Sequence, residues 1–399
     1  MGVPEAVRVI QDAIDKGNFG RADLLCRRTM EALPDFPWAP MLFAKTALKI
    51  GEVAASQHWC AETKAKLTEH PPHAFPEIQT ELETLAAELS SAVSPKPAGG
   101  YLLIKSWGYG FWPDVEQVLG ALLLAEMTRR TPVVHWGGNS YFTDDPSQDA
   151  FGTFFEPIAS ASLEEIAAEQ SEFYPPKWHR DNLGDNGLNV WEGEGARLSG
   201  LYLLNRPERV VVQDFFTQVV ELLPWLSAEH WLQGVDAMEA IRQLYEKYFV
   251  LQLVIQAEID AFITENFDGR PTFAVHVRNM DKGREDPNVL LENADMLPVL
   301  DAQLAQNPDL RLFLLTDSET VVAQYAARYG DRVFSTDCAR TDGIVPLTWK
   351  DSESRYRLGV EVIKDTYIAA ACDNFIGYGG SSVACMVACL KVPSDWRQH

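Results

Sequence analysis

The chain has 399 residues, 46% of them hydrophobic, and a formal net charge of −23. This length exceeds one ordinary hydrophobic core and predicts two or three domains. The negative charge argues against nucleic acids and anionic membrane surfaces as partners. No apolar run approaches the roughly 20 residues of a membrane-spanning helix, and no basic-then-apolar signal region stands at the N-terminus. Six scattered cysteines fit neither a disulfide framework nor a zinc site, which predicts free thiols and a cytoplasmic location.

Residues 1–93 are predicted to be all-helical. Gly17 and Gly51 are 34 residues apart, which is the period of tetratricopeptide repeats, and Pro34 and Pro71 end the two repeats. Because such helix pairs bury their apolar faces only by stacking, this region needs a neighbour. Two interpretations stay open. The helices dock on the next domain, or they present a groove to a protein partner or a large acceptor.

A linker rich in proline and glycine at residues 94–100 precedes a βαβ unit. Its strands are predicted at 101–105 and 132–136, with a glycine loop, Gly108-Tyr109-Gly110, before the intervening helix. Backbone N–H groups of such a loop can hold a phosphate. The loop lacks the third glycine of the dinucleotide fingerprint and the lysine of a P-loop, so a tight turn or an acceptor-side loop is an equal alternative.

Residues 139–206 are irregular and rich in aromatic and polar side chains. Long ordered loops of this kind are usually functional, and aromatic faces beside carboxylates are typical of sugar sites. Trp178 and His179 are therefore candidates for the acceptor side. The acidic pair Asp144-Asp145 suggests a metal site, but a capped turn before Pro146 is the favoured interpretation.

The C-terminal part alternates strands and helices from residue 272 onward, which predicts a parallel, doubly wound sheet. Arg278 follows the first of these strands, and Lys282 stands four residues later. A rigid fork and a mobile point charge together suit a diphosphate, although a solvated turn explains the same charges. A glycine-rich turn before Ser381 and Ser382 opens a helix and predicts an anion site.

These segments, in this order, resemble the GDP-fucose-dependent α1,6-fucosyltransferases, the family of the rhizobial nodulation fucosyltransferase and the animal core fucosyltransferase. The resemblance covers roughly residues 101–392. It is carried by residues 108–113, 154–157, 275–282, 314–317, Asp365 and 372–382.

The resemblance implies an α/β protein with two Rossmann-like domains of the GT-B type. The expected boundaries are 1–93 for the tetratricopeptide-like region, 101–265 for an acceptor domain and 266–399 for a nucleotide-sugar domain. It also implies an inverting transfer of fucose from GDP-fucose that needs no metal and no other cofactor.

The family implies roles for individual residues. Arg278 would hold the β-phosphate and stabilise the departing GDP, and His276 would shape the diphosphate pocket. Asp365 would contact guanine, and Ser381 or Ser382 would bind phosphate. The strand-end acidic position is Asp317, and the base is Glu285 or Asp286.

Two departures leave alternatives open. Asn279 replaces the second arginine of the animal motif, and the helical region is not part of the family pattern. The acceptor is therefore open between a glycan and a protein. A different nucleotide-activated sugar is one alternative donor, and a scaffold with an inactive transferase domain is the alternative that Asn279 favours.

Overall fold

The structure is a computed structural model. It describes residues 3–71, 74–93, 99–137, 141–145, 147–169, 172–185, 197–278, 288–341 and 354–391. The chain divides into two compact units. The first comprises Met1–Trp107, Glu116–Asn139 and Pro157–Val235, and the second comprises Gly108–Val115, Ser140–Glu156 and Asp236–His399. The domain boundaries expected from the sequence stay predictions.

The N-terminal region is all-helical, as predicted. Its helices are α1 (Val3–Asp15), α2 (Phe19–Ala32), α3 (Trp38–Lys49), α4 (Val53–Thr68) and α5 (Pro76–Ser91). Gly17 and Gly51 have positive φ angles of 73° and 85° just after α1 and α3, where glycine ends a helix without strain. Apolar side chains of α3, α4 and α5 form a shared core. The assignment to tetratricopeptide repeats stays a prediction.

The first unit contains a four-stranded parallel sheet in the order β2-β1-β4-β3. Its strands are β1 (Gly100–Lys105), β2 (Arg130–His135), β3 (Phe173–Tyr174) and β4 (Val210–Gln213). Helix α6 (Phe111–Thr128) connects β1 to β2 and completes the predicted βαβ unit. The short helices α8 (Leu163–Ala168) and α9 (Val219–Leu222) also belong to this unit, whereas α7 (Phe151–Phe154) belongs to the second.

The second unit contains another four-stranded parallel sheet, in the order β7-β6-β5-β8. Its strands are β5 (Thr272–His276), β6 (Arg311–Leu315), β7 (Val333–Phe334) and β8 (Asn374–Gly377). Its main helices are α10 (Ala237–Tyr248), α11 (Leu253–Asn266), α12 (Asn288–Gln306), α13 (Glu319–Tyr329), α14 (Arg355–Ala371) and α15 (Ser382–Leu390). Because the strand order reverses between β5 and β8, the predicted doubly wound sheet is confirmed.

No helix among the described residues is long and apolar enough to cross a membrane. The six cysteines are free thiols. The cytoplasmic location expected from the sequence stays a prediction.

The helical region is docked on the remainder of the first unit. A Cβ atom at Gly20 on α2 would lie 1.9 Å from the carbonyl oxygen of Arg197, so the two backbones touch there. Just before α4, the buried carboxylate of Glu52 accepts hydrogen bonds from the backbone and side-chain nitrogens of Asn205, at 3.1 and 2.8 Å. The structure therefore has the docked arrangement, which is the first of the two interpretations of the helical region.

This close approach predicts that Gly20→Ala destabilises the protein. Alanine favours helix formation by about 1 kcal/mol, but the clash with backbone is expected to outweigh it and lower the unfolding free energy by about 1–3 kcal/mol. Calorimetry of the full chain measures the melting temperature. Gly184→Ala is the control, since no atom lies within 4 Å of a Cβ there. An unchanged melting temperature for Gly20→Ala would contradict the docked arrangement.

Candidate active site

The register of the second sheet determines which side chains meet at its carboxyl edge. His276 at the end of β5 pairs with Leu315 of β6 on one side and Gly377 of β8 on the other. Arg278 and Asp317 each follow these strand ends by two residues. In open α/β sheets ligands bind outside the carboxyl ends of strands, at the point where the strand order reverses.

A cavity opens at this edge, and we call it the donor cavity. It brings together four of the residues predicted to bind the donor: His276, Arg278, Asp317 and Asp365. The other described residues that line it are Phe142, Leu315, Thr316, Cys338, Ala339, Leu358, Glu361, Val362 and Val383.

Arg278 is held at the donor cavity by an ion pair. Its Nη1 atom donates to Oδ2 of Asp317 at 2.6 Å, and both side chains are about three-quarters buried. The backbone carbonyl of Arg278 accepts a hydrogen bond from Nδ2 of Asn293 on α12, also at 2.6 Å. A guanidinium has five N–H donors, so a carboxylate that fixes one edge of the fork still permits phosphate recognition by the rest.

His276 is a neutral side chain in this cavity. Burial, and secondarily the charge of Arg278, lower the pKa of its imidazole from 6.5 to about 3. Its Nδ1 atom is buried and has no hydrogen-bond partner among the described residues. A neutral imidazole donates from one nitrogen and accepts at the other, so His276 can recognise a polar group without adding charge.

Asp365 on α14 is a partly buried carboxylate whose protonation changes near physiological pH. Burial raises its pKa from 3.8 to about 6, against the hydrogen bond from Thr336 and the charge of Arg340, which lower it. The hydroxyl of Thr336 donates to Oδ1 of Asp365. At neutral pH the ionised form predominates and is a strong hydrogen-bond acceptor.

The segment after β7 forms the wall that faces α14, and sequence reasoning missed it. Glu361, one helical turn before Asp365, accepts from the backbone N–H of Ala339 at 2.9 Å. Arg340 donates to the carbonyl oxygen of Thr336 at 2.7 Å, and the N–H of Thr341 donates to the carbonyl oxygen of Asp317 at 2.8 Å. The i, i+4 spacing of Glu361 and Asp365 was the available signal, because it puts both on one helix face.

The other residues that were predicted to bind the donor either lie beside the donor cavity without lining it or lie outside the described residues. Ser381 is the N-cap residue of α15 and makes no side-chain capping bond, and Ser382 begins the helix. Their neighbour Val383 lines the donor cavity. Asn279, Lys282, Glu285 and Asp286 lie outside the described residues, so their roles stay predictions.

The glycine loop proposed for the acceptor side belongs to the second unit. The N–H of Gly108 donates to Asp114 at 2.7 Å, which closes the loop. Gly108 and Gly110 have φ angles of 80° and 151°, and Tyr109 between them is 70% exposed. Just beyond the loop, Nε1 of Trp112 donates to Thr366 at 2.9 Å. Thr366 is the neighbour of Asp365, so this bond fixes the loop to the helix of the donor cavity.

The remaining acceptor candidates lie in the first unit. Trp178 is buried at 3% exposure in the core of the first sheet, while the side chain of His179 is exposed. Their acceptor roles stay predictions.

Asp145 caps a local turn, as favoured from the sequence, whereas Asp144 caps the distant start of α14, which was not predicted. The carboxylate of Asp144 accepts from Ser354 and from backbone N–H groups at the start of α14, while Asp145 accepts from the N–H of Ser147 at 2.9 Å. Over the described ranges, no group of three His, Cys, Asp or Glu side chains is arranged to hold a metal ion.

Asp365→Asn is expected to stabilise the protein at neutral pH. The folded pKa of about 6 lies above the unfolded value of 3.8, so the folded state binds the extra proton. The contribution of the Asp365 carboxyl group to the free energy of unfolding is therefore complete below pH 3.8 and is lost as the pH rises to about 6. The total loss is about 3 kcal/mol.

Melting temperatures at pH 5 and pH 7.5 check this prediction. The difference between wild type and Asp365→Asn should be larger at pH 7.5 than at pH 5. The exposed Asp331→Asn is the control. A pH-independent difference, or a less stable Asp365→Asn at pH 7.5, would refute the raised pKa of this carboxyl group.

No family model matches the chain. Two nodulation Z proteins are similar to it. That of Sinorhizobium fredii is 26% identical over 301 residues, covering 71% of this chain and 88% of the relative. That of Bradyrhizobium diazoefficiens is 23% identical over 312 residues, covering 71% and 77%.

Solved structures are also similar to the chain. NodZ α-1,6-fucosyltransferase co-crystallised with GDP has a TM-score of 0.48 at 22% identity, covering 73% of this chain and 92% of that structure. POFUT1 in complex with GDP has a TM-score of 0.45 at 13% identity, covering 73% and 95%. The sequence similarity to the nodulation Z proteins confirms the predicted resemblance of this chain to the rhizobial nodulation fucosyltransferase family.

Proposed function

We propose that this protein is a glycosyltransferase that transfers L-fucose from GDP-fucose to a hydroxyl group of a glycan or protein acceptor. The observation that carries the proposal is the convergence of His276, Arg278, Asp317 and Asp365 in the donor cavity. The sequence similarity to nodulation Z proteins, which extends over 71% of the chain, supports the same donor. Inversion at the sugar and independence from metal belong to the proposal as well.

The proposed reaction is a single displacement. A carboxylate base, Glu285 or Asp286, takes the proton of the acceptor hydroxyl, whose oxygen bonds to C1 of fucose. The bond from C1 to the β-phosphate oxygen breaks on the opposite face, and GDP leaves with the electron pair. Arg278 then stabilises the negative charge that develops on the β-phosphate. Electrostatic stabilisation of this kind often contributes more to catalysis than any other single effect.

Base recognition is assigned to Asp365. The Watson–Crick edge of guanine carries N–H donors, and an ionised carboxylate is the matching acceptor. Adenine and uracil do not present the same pair of adjacent donors, so Asp365 would favour GDP over ADP and UDP. The neutral His276 would contribute a hydrogen bond beside the cationic fork of Arg278.

GDP is expected to raise the melting temperature in the presence of a chelator, because a ligand that binds only the native state stabilises it. ADP and UDP at the same concentration are the matched ligands and should give a smaller shift. Asp365→Asn should remove the shift for GDP. No shift with GDP, or a shift that requires added manganese, would overturn the proposed donor site or its metal independence.

Arg278→Ala should lower the rate of GDP-fucose turnover by roughly 10²-fold, or about 3 kcal/mol, in a protein that still folds. Arg278→Lys should lower the turnover rate by a similar factor, because an ammonium group does not replace the planar fork of the guanidinium. Release of GDP from GDP-fucose is the measurement, and the exposed Arg270→Lys is the control. Turnover by Arg278→Lys near the wild-type rate would contradict the proposed role. GDP binding without turnover of GDP-fucose would favour another guanosine-activated sugar or the inactive scaffold.

A further inference from the structure

A second cavity, which we call the tryptophan cavity, lies in the first unit at the amino-terminal edge of its sheet. It follows the end of α6, just before β2 begins at Arg130, and has a volume of about 590 Å³. Its lining residues are Ala54, Glu126, Met127, Arg129, Leu204, Asn205, Trp225, Ser227, Glu229, His230 and Trp231. Nothing in the proposed transfer reaction uses these residues.

Trp231 is the most conspicuous side chain of this cavity. It is 43% exposed, yet its indole N–H donates to Oε2 of Glu126 at 2.6 Å. The ring of His230 stacks beside it, with centroids 6.0 Å apart and an angle of 24°. An exposed aromatic ring whose orientation is fixed in this way is a rigid platform, which binds with little loss of conformational entropy.

Glu126 is the polar centre of the tryptophan cavity. Nδ1 of His230 accepts from the N–H of Leu232 at 3.2 Å, so a neutral ring carries its proton on Nε2. That Nε2 lies 3.2 Å from the same Oε2 atom that receives the indole N–H. A carboxylate has about four acceptor positions, so Glu126 can also accept from ligand hydroxyl groups.

The second aromatic wall is Trp225, which a residue of the helical region holds in place. The ring of His58 on α4 meets the ring of Trp225 edge-on, with centroids 5.2 Å apart. Ala54, near the start of α4, lines the cavity directly. The hydrogen bonds from Asn205 to Glu52 attach the same helix end to another residue of the lining. The docked helical region is thus part of this cavity.

From these features we propose that the tryptophan cavity binds a neutral saccharide. The C–H faces of a pyranose ring stack on indole rings, and its hydroxyl groups match the carboxylate, amide, hydroxyl and imidazole groups of the lining. The described lining carries two carboxylates and one guanidinium, which gives no net attraction for an anionic sugar. The volume lies within the usual range of small-ligand sites, about 300–1,000 Å³.

Ligand-observed saturation-transfer NMR on the full-length protein without GDP tests this proposal. The probes are cellotriose and maltotriose as neutral saccharides and trigalacturonate as the anionic one. At least one neutral probe is expected to bind with a dissociation constant of about 1 mM. Trp231→Ala should weaken this binding at least about tenfold, and Trp231→Phe, which keeps a stacking face but loses the N–H, should have a smaller effect.

Val220→Ala, which changes another exposed apolar residue of the same unit, is the control and should bind like the wild type. The melting-temperature shift with GDP should be equal in all variants, which shows that they are folded and keeps this test separate from that of the donor site. Absence of binding by both neutral probes at about 10 mM would overturn the proposal. Unchanged binding by Trp231→Ala, or binding of trigalacturonate alone, would overturn it as well.

Discussion

The alignment of β5 with β6 is the constraint on which the donor cavity depends. Because His276 stands opposite Leu315, the residues that follow both strands emerge side by side, and Arg278 meets Asp317. His276 and Arg278 are two residues apart, so the charge of Arg278 adds to burial in keeping the imidazole neutral. The result is one oriented cation beside an uncharged hydrogen-bonding group. Shifting the register by one residue would turn each of these side chains to the opposite face.

A different constraint organises the first unit, where a helical region and a sheet are joined through close backbone contact and buried polar groups. Gly20 permits α2 to touch the backbone at Arg197, while Arg27 on the same helix pairs with Asp23 and with Glu221 of α9. The free end of a solenoid carries a polar face that is exposed to solvent. In contrast, charged side chains of this helical region pair with residues in the remainder of the first unit and are buried there. The helices are therefore an integral part of the first unit, and a fragment that lacks them would leave Glu221 and Asn205 without their partners.

The sequence predicted the elements whose signals are local. The βαβ unit, the strands of the second sheet and the residues at their carboxyl ends follow from alternation, glycine turns and the family resemblance. It did not predict β3, since Phe173–Tyr174 is only two residues long and pairs with β4 across a long separation. Nor did it predict the bridge between Leu251 and Phe155, which lies between the end of α10 at Tyr248 and the start of α11, because this pairing also spans a long separation. The wall from Thr336 to Ala339 was missed because its role depends on contacts with α14 that no periodicity records.

The tryptophan cavity changes the choice between docking and recognition for the helical region. The two interpretations were exclusive only if recognition required a free groove between the helices. Here the docked end of α4 supplies Ala54 and positions Trp225 through His58, so the contacts that attach the helices also build a wall of the cavity. Removing residues 1–93 would then abolish the docked contacts and the saccharide cavity at once. Neither a loss of solubility nor a loss of saccharide binding could be assigned to one of these two causes. Substitution of Trp231 does separate them, because residues 1–93 stay in place while a ring that lines the cavity and is 43% exposed is removed.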